Sequence, residues 1–261
     1  MHTPLCKHAT GHPDEYADAA AKLGLAGITI TCHCPLPDGN SPWARMDISQ
    51  LSDYLSLIEG TRKKYLGKVD VLLGLESDYY PGIESWLKDL HARAPFNYIL
   101  GSVHPHIDEY KKNFYRGDAR EFQITYFKHL ADAAESALFD SISHPDLVKN
   151  CYPTEWNPNK IIDEIRASLD RIAKSGVAME LNTSGLNKEI KEMNPGPVIL
   201  REMCIRNIPV VIGSDSHVPT RVGADFGRAI KILTEAGYTE TNYFVNRKRR
   251  TVAFSNLNNA F

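Results

Sequence analysis

Short apolar runs alternate with longer amphipathic stretches along most of the chain. Residues 27–31, 69–75, 98–103, 138–143, 177–181 and 208–212 are rich in β-branched and apolar side chains and have the length of strands. Between them, residues 14–23, 48–65, 83–92, 121–137, 159–173, 198–206 and 226–236 carry apolar positions at helical spacing. Pro13, Pro81 and Pro195 stand near helix starts, where a missing N–H costs nothing. Gly24, Gly67, Gly176 and Gly237 stand near helix ends, as C-terminal caps do. Strands separated by helices predict βα units and a mostly parallel sheet, either open or closed into a barrel. No glycine- or proline-rich linker divides the chain, so one domain is expected over residues 1–261. Two short strands are expected at 242–245 and 251–254, flanking the basic run Arg247, Lys248, Arg249 and Arg250, which reads as a solvated turn. Residues 255–261 read as a frayed tail.

Composition narrows the class without naming a chemistry. At 43% hydrophobic and 24% charged the chain is ordinary for a globular protein, which excludes disordered and fibrous classes. Thirty basic residues against 32 acidic ones give no electrostatic case for nucleic acid or an anionic membrane. No apolar run reaches the length of a membrane span, and the first 13 residues hold no signal-peptide core. Five cysteines without framework spacing suggest reduced thiols and a cytoplasmic protein. Cys32 and Cys34 flank His33, but strand alternation would send His33 to one face and both thiols to the other, which argues against a shared Cys/His site.

The ten histidines change the picture through their positions. His33 follows the first apolar run, Glu76 ends the second, His104 ends the third, His144 follows the fourth, and Asp215 with His217 follows the last. In parallel α/β folds the loops at C-terminal strand ends build active sites. One histidine there is usually structural; five such strand ends point to a ligand constellation. Asp215 and His217, two apart, would face one side of an extended segment. His2 and His8 precede the first helix. Imidazoles and carboxylates without paired thiolates suit zinc, manganese or iron, and their number implies two or three divalent ions. Such a centre implies metal-assisted hydrolysis. His12, His91 and His129 have capping, surface or core-edge readings, and His106 is a candidate substrate contact.

The sequence resembles the polymerase-and-histidinol-phosphatase (PHP) superfamily, and within it the histidinol-phosphatase branch. The motifs that carry the resemblance are HTPLCKHATG at 2–11, ITITCH ending at His33, GLESDYYPGIE at 74–84, FNYILGSVH at 96–104, SHPDL at 143–147, ELNTSGL at 180–186 and GSDSH at 213–217. The resemblance implies a distorted seven-stranded β/α barrel with a trinuclear metal site. It groups His2, Glu76 and Asp215 on a first ion, Glu76, His104 and His144 on a second, and His8, His33 and His217 on a third.

The chain departs from the family pattern in three places. Met1 occupies the middle of the His-x-His motif, so the first strand is expected to be truncated. Cys32 stands where the family commonly has an acid, and residues 105–110 do not look like the usual branch sequence. The implied activity is hydrolysis of a small phosphomonoester, L-histidinol phosphate first, with another phosphate ester or a non-catalytic metal-binding module as alternatives. Asp215 or His217 would assist the leaving group. Lys149, Lys188 and Arg221 follow strand-end motifs and are candidates for gripping phosphate. Asp78, Asp108 and Glu109 are candidates for meeting a substrate imidazolium. The expected partner is a small phosphorylated molecule, with neither nucleic acid nor membrane.

Overall fold

The computed structural model describes residues 1–257. Eight strands form one sheet in sequence order: β1 (Gly27–Ile30), β2 (Asp70–Asp78), β3 (Tyr98–Ser102), β4 (Ser141–Ile142), β5 (Ala178–Asn182), β6 (Val210–Gly213), β7 (Glu240–Val245) and β8 (Lys248–Ala253). The first seven run parallel and β8 returns antiparallel to β7, so the sheet is mixed. The fold is thus α/β as expected, built on a mixed sheet of eight strands. β2 pairs with β1 through its first half, Asp70–Leu73, and with β3 through its second, Gly74–Asp78. Pairing across β1 and β2 resumes in a bridge between His33 and Glu76, which sets these two side chains level.

Helices α1 (Pro13–Lys22), α2 (Leu51–Tyr65), α3 (Glu84–His91), α4 (Asp108–Phe114), α5 (Ala119–Glu135), α6 (Ile162–Ser175), α7 (Pro197–Ile205) and α8 (Phe226–Ala236) connect the strands. His12 caps α1, its Nδ1 accepting from the Asp14 N–H while Glu15 reaches back to the His12 N–H. Pro13 follows as the first helical residue. Asp14 ties α1 to α2 through Thr61 and Lys64. α6 packs beside α5 and buries Ile165, Leu169 and Ile172. α4 was not foreseen from the sequence; its seven residues are too few to show a helical period.

The basic run lies mainly within a strand rather than in a turn. Only Asn246 and Arg247 make the turn, at φ +52° and +59°, the geometry of a two-residue hairpin. Arg247 pairs with Asp140, its N–H donates to the Asn97 carbonyl, and Arg249 donates to the Gly176 carbonyl. Those three partners precede β3, β4 and β5, so the hairpin closes the sheet at the end opposite the histidines. The expected tail includes 258–261, which fall outside the described residues; 254–256 form a short 3-10 turn.

The first residues occupy a distinct position. Met1 accepts a hydrogen bond from the Thr31 N–H at 2.7 Å, and the His2 N–H donates to the Ser216 carbonyl at 3.0 Å. They therefore stand between the C-terminal ends of β1 and β6. Below them lies a cavity of about 200 Å³ lined by β1, β2, β3, β5, β6 and β7.

Candidate metal centre

Each strand end delivers its side chain for a local reason. Glu76 sits inside β2 at 3% exposure and is reached from both sides. Its Oε1 lies 3.2 Å from His104 Nε2 and 3.3 Å from His144 Nε2. Its Oε2 lies 3.2 Å from His2 Nε2 and 3.5 Å from His33 Nδ1. One carboxylate thus joins two pairs of imidazoles. Ser102 on β3 donates to Oε1 at 2.6 Å and fixes its rotation.

His144 and Asp215 take positive φ values, +24° and +47°, which are strained for residues with a Cβ. The strain re-aims both side chains just past β4 and β6. The expected extended segment is therefore a kinked one, although Asp215 and His217 still face one centre. Asp215 Oδ1 lies 3.1 Å from His2 Nε2, and its Oδ2 accepts from Ser184. Gly213 makes room nearby, because a Cβ there would stand 1.8 Å from Glu180 Oε1. Glu180 in turn accepts from the His144 N–H.

Backbone carbonyls and one carboxylate set the imidazole tautomers. His8 Nδ1 donates to the Cys6 carbonyl, His217 Nδ1 to the Asp215 carbonyl, and His104 Nδ1 to Asp78. This leaves Nε2 of each ring to face the cluster. The His217 ring lies 3.9 Å from that of His2 and 4.6 Å from that of His8, centroid to centroid. Buried His33 Nδ1 and His217 Nε2, both turned to the cluster, have no hydrogen-bond partner. Buried polar atoms are seldom orphaned, and ligand-bearing nitrogens are the expected exception.

The electrostatics fit metal ligation. Burial alone would raise the Glu76 carboxyl, but His33, His104, His144 and His2 hold it well below the usual range. Asp215 is likewise held low against burial, by His2 and His217. Burial pushes His33 well below its ordinary value and His217 down to about 4, so both are neutral donors at neutral pH. Residue groups that bring ligand atoms within 4.8 Å of one another include His2–Glu76–Asp215, His33–Glu76–His104 and His2–His33–His217. The donors are imidazole and carboxylate, a set suited to zinc or manganese in a multi-metal site.

The centre opens into a cleft of about 470 Å³. His106 and Lys188 line it, as does Arg45, which no sequence motif had marked. Arg45 is 2% exposed and donates to both oxygens of Asp78, at 2.9 and 2.5 Å. The two other phosphate-gripping candidates lie elsewhere. Lys149 is fully buried, and its Nζ is held by Asp146 at 3.1 Å and the Met193 carbonyl at 2.9 Å, away from the cleft lining. Arg221 pairs with Asp225, four residues on, and does not line the cleft. Both follow site motifs in sequence, but local ion pairs turn them aside. Asp78 is committed to Arg45 and His104, and Glu109 accepts from Ser41 at the loop over the cleft. His129 bonds Tyr110 and His91 bonds Ser77, consistent with structural roles.

Parallel strand ends and the segment before α1 bring six imidazoles and two carboxylates together, which defines a multinuclear metal-centred α/β protein. The PHP domain model matches residues 1–184, and the chain belongs to this family, in its histidinol-phosphatase branch. A protein named "Probable histidinol-phosphatase" from Deinococcus radiodurans is 37% identical over 248 residues, covering 91% of this chain and 92% of that one. The "Histidinol-phosphatase" of Bacillus subtilis is 27% identical, covering 85% of this chain and 94% of its own. In fold, the chain matches the crystal structure of histidinol phosphate phosphatase from Lactococcus lactis, complexed with zinc, L-histidinol and phosphate. That match has a TM-score of 0.81 at 18% identity and covers 96% and 97% of the two chains. Among the described residues no helix is long and apolar enough to cross a membrane.

Proposed function

We infer that this protein is a metal-dependent phosphomonoesterase that hydrolyses L-histidinol phosphate to L-histidinol and inorganic phosphate, a step of histidine biosynthesis. The observation that carries the chemistry is Glu76, whose two oxygens each face a pair of imidazoles. Set between such pairs, Glu76 would help to hold more than one divalent ion, zinc, manganese or iron. The substrate rests on the names of the relatives that match along most of their length.

His2, Glu76 and Asp215 would hold a first ion, Glu76, His104 and His144 a second, and His8, His33 and His217 a third. Ions held there would supply charge neutralisation for the phosphate and a nucleophile from water. The chain's own residues do the rest. Asp78, the Cys6 carbonyl and the Asp215 carbonyl keep His104, His8 and His217 in the tautomer that presents Nε2. Asp215 or His217 would also assist the leaving alcohol. Lys188 and His106 line the cleft and would meet the phosphate or the rest of the ester. The same reading takes the seven parallel strands as a distorted β/α barrel, in one domain of a cytoplasmic protein.

The test is chelation and reconstitution. Stripped protein is expected to release no phosphate from L-histidinol phosphate, and activity should return in step with bound zinc or manganese. Full metal occupancy without phosphate release would overturn the proposal.

A further inference from the structure

The centre described above leaves two thiols unused. Cys6 ends the 3-10 turn Pro4–Cys6, and Cys32 follows β1. Both are fully buried and neither forms a disulfide. The alternation that turns His33 into the cleft turns Cys32 away from it. There Cys32 Sγ meets Thr3 Oγ1 at 3.1 Å, and one ligand atom each from His2, Cys6 and Cys32 lie within 4.8 Å of one another.

His2 supplies the second, independent observation. Its Nε2 is engaged by Glu76 and Asp215, whereas Nδ1 is buried, at 1% residue exposure, with no hydrogen-bond partner. A buried ring nitrogen left unpaired is costly, and thiols are weak partners for it. Two sulfurs and a free imidazole nitrogen in a dry site form the donor set that soft d10 cations select.

We propose that Cys6, Cys32 and His2 Nδ1 form a separate binding site for a thiophilic divalent cation such as zinc or cadmium, placed behind the hydrolytic centre and sharing His2 with it. Each thiol gives up its proton to solvent on binding. Where Nε2 already holds an ion the His2 ring gives up its N–H proton as well, so that two thiolates and a shared imidazolate neutralise the charge, as burial requires. Thr3 Oγ1 offers a neutral oxygen to a fourth position. The site would couple to the hydrolytic centre twice: through the shared ring of His2, and through the turn whose Cys6 carbonyl holds His8. It does not depend on which phosphate ester is the substrate.

The test compares the wild-type chain with the double variant C6S/C32S, both stripped by chelator and reloaded with cadmium. Wild type is expected to bind one more equivalent than the variant. Wild type alone should show the ultraviolet sulfur-to-cadmium charge-transfer band, with matching circular dichroism for the two chains. Equal stoichiometry in two folded chains, or no charge-transfer band in wild type, would overturn the proposal. Should the double variant not fold, cadmium NMR of wild type decides. A resonance far downfield of the nitrogen–oxygen range supports the site, and its absence, or a Cys6–Cys32 disulfide in the reduced preparation, contradicts it.

Discussion

Asp78 Oδ1 stands 3.0 Å from His104 Nδ1, and the far nitrogen of the same ring stands 3.2 Å from Glu76. The carboxylate is itself gripped by Arg45, so a chain of three buried side chains orients one proposed ligand. Asp78→Asn keeps the shape but loses the charge that fixes the tautomer. Metal affinity is expected to fall about 10- to 100-fold, the usual cost of losing such a partner. A metal-buffered titration measures it, and an unchanged affinity would speak against the relay.

Glu76 joins the two halves of the centre, and no neighbouring carboxylate takes the same position. Glu76→Gln retains the Ser102 contact but removes the charge that faces four imidazoles. Turnover should be abolished and at least one equivalent of metal lost, with circular dichroism close to wild type. Retention of both activity and metal content in this variant would remove Glu76 from the role assigned to it.

Arg45→Ala tests the same relay from the side of stability. It leaves Asp78, at 4% exposure, without its guanidinium. Breaking a buried pair by removing one partner costs about 3–5 kcal/mol. Urea unfolding of the metal-free protein should show a loss of that order, and a change below about 1 kcal/mol would mean that water replaces the arginine at little cost.

His91 gives a pH dependence separate from the centre. Burial, with Arg247 nearby, lowers it to about 4, against an ordinary value near 6.5. Above pH 6.5 the ring is neutral in both folded and unfolded chains, and its contribution to stability is complete. As pH falls from 6.5 toward 4 the unfolded chain takes up the proton first, so stability is lost through that window and levels off below it. In His91→Gln this component should vanish. The difference in unfolding free energy between the two chains should therefore vary between pH 7 and pH 4, and a constant difference would refute the assignment.

Much of this was legible in the sequence because strand ends are marked locally. An apolar run followed by His or Glu places His33, Glu76, His104 and His144 without tertiary information, and the PHP motifs supply their grouping. What was not legible depends on partners distant along the chain. Lys149 follows a strand-end motif just as a phosphate-binding residue would, but Asp146 and the Met193 carbonyl draw it into the core. Arg45 lies in an irregular loop with no periodicity, and only the fold brings it against Asp78, 33 residues away. The basic run looked like a turn because charge was the only cue; the cross-strand pairing of Lys248–Ala253 with Glu240–Val245 is invisible to composition.

Substrate selectivity tests the central claim most directly. The measurement is kcat/KM for L-histidinol phosphate against a panel of nucleotides, sugar phosphates and nucleic-acid ends, with the metal-loaded enzyme. The account predicts that L-histidinol phosphate exceeds every other ester by at least about a hundredfold, the scale on which recognition of one ring and one amine discriminates. A higher kcat/KM for any other ester on the panel would contradict it.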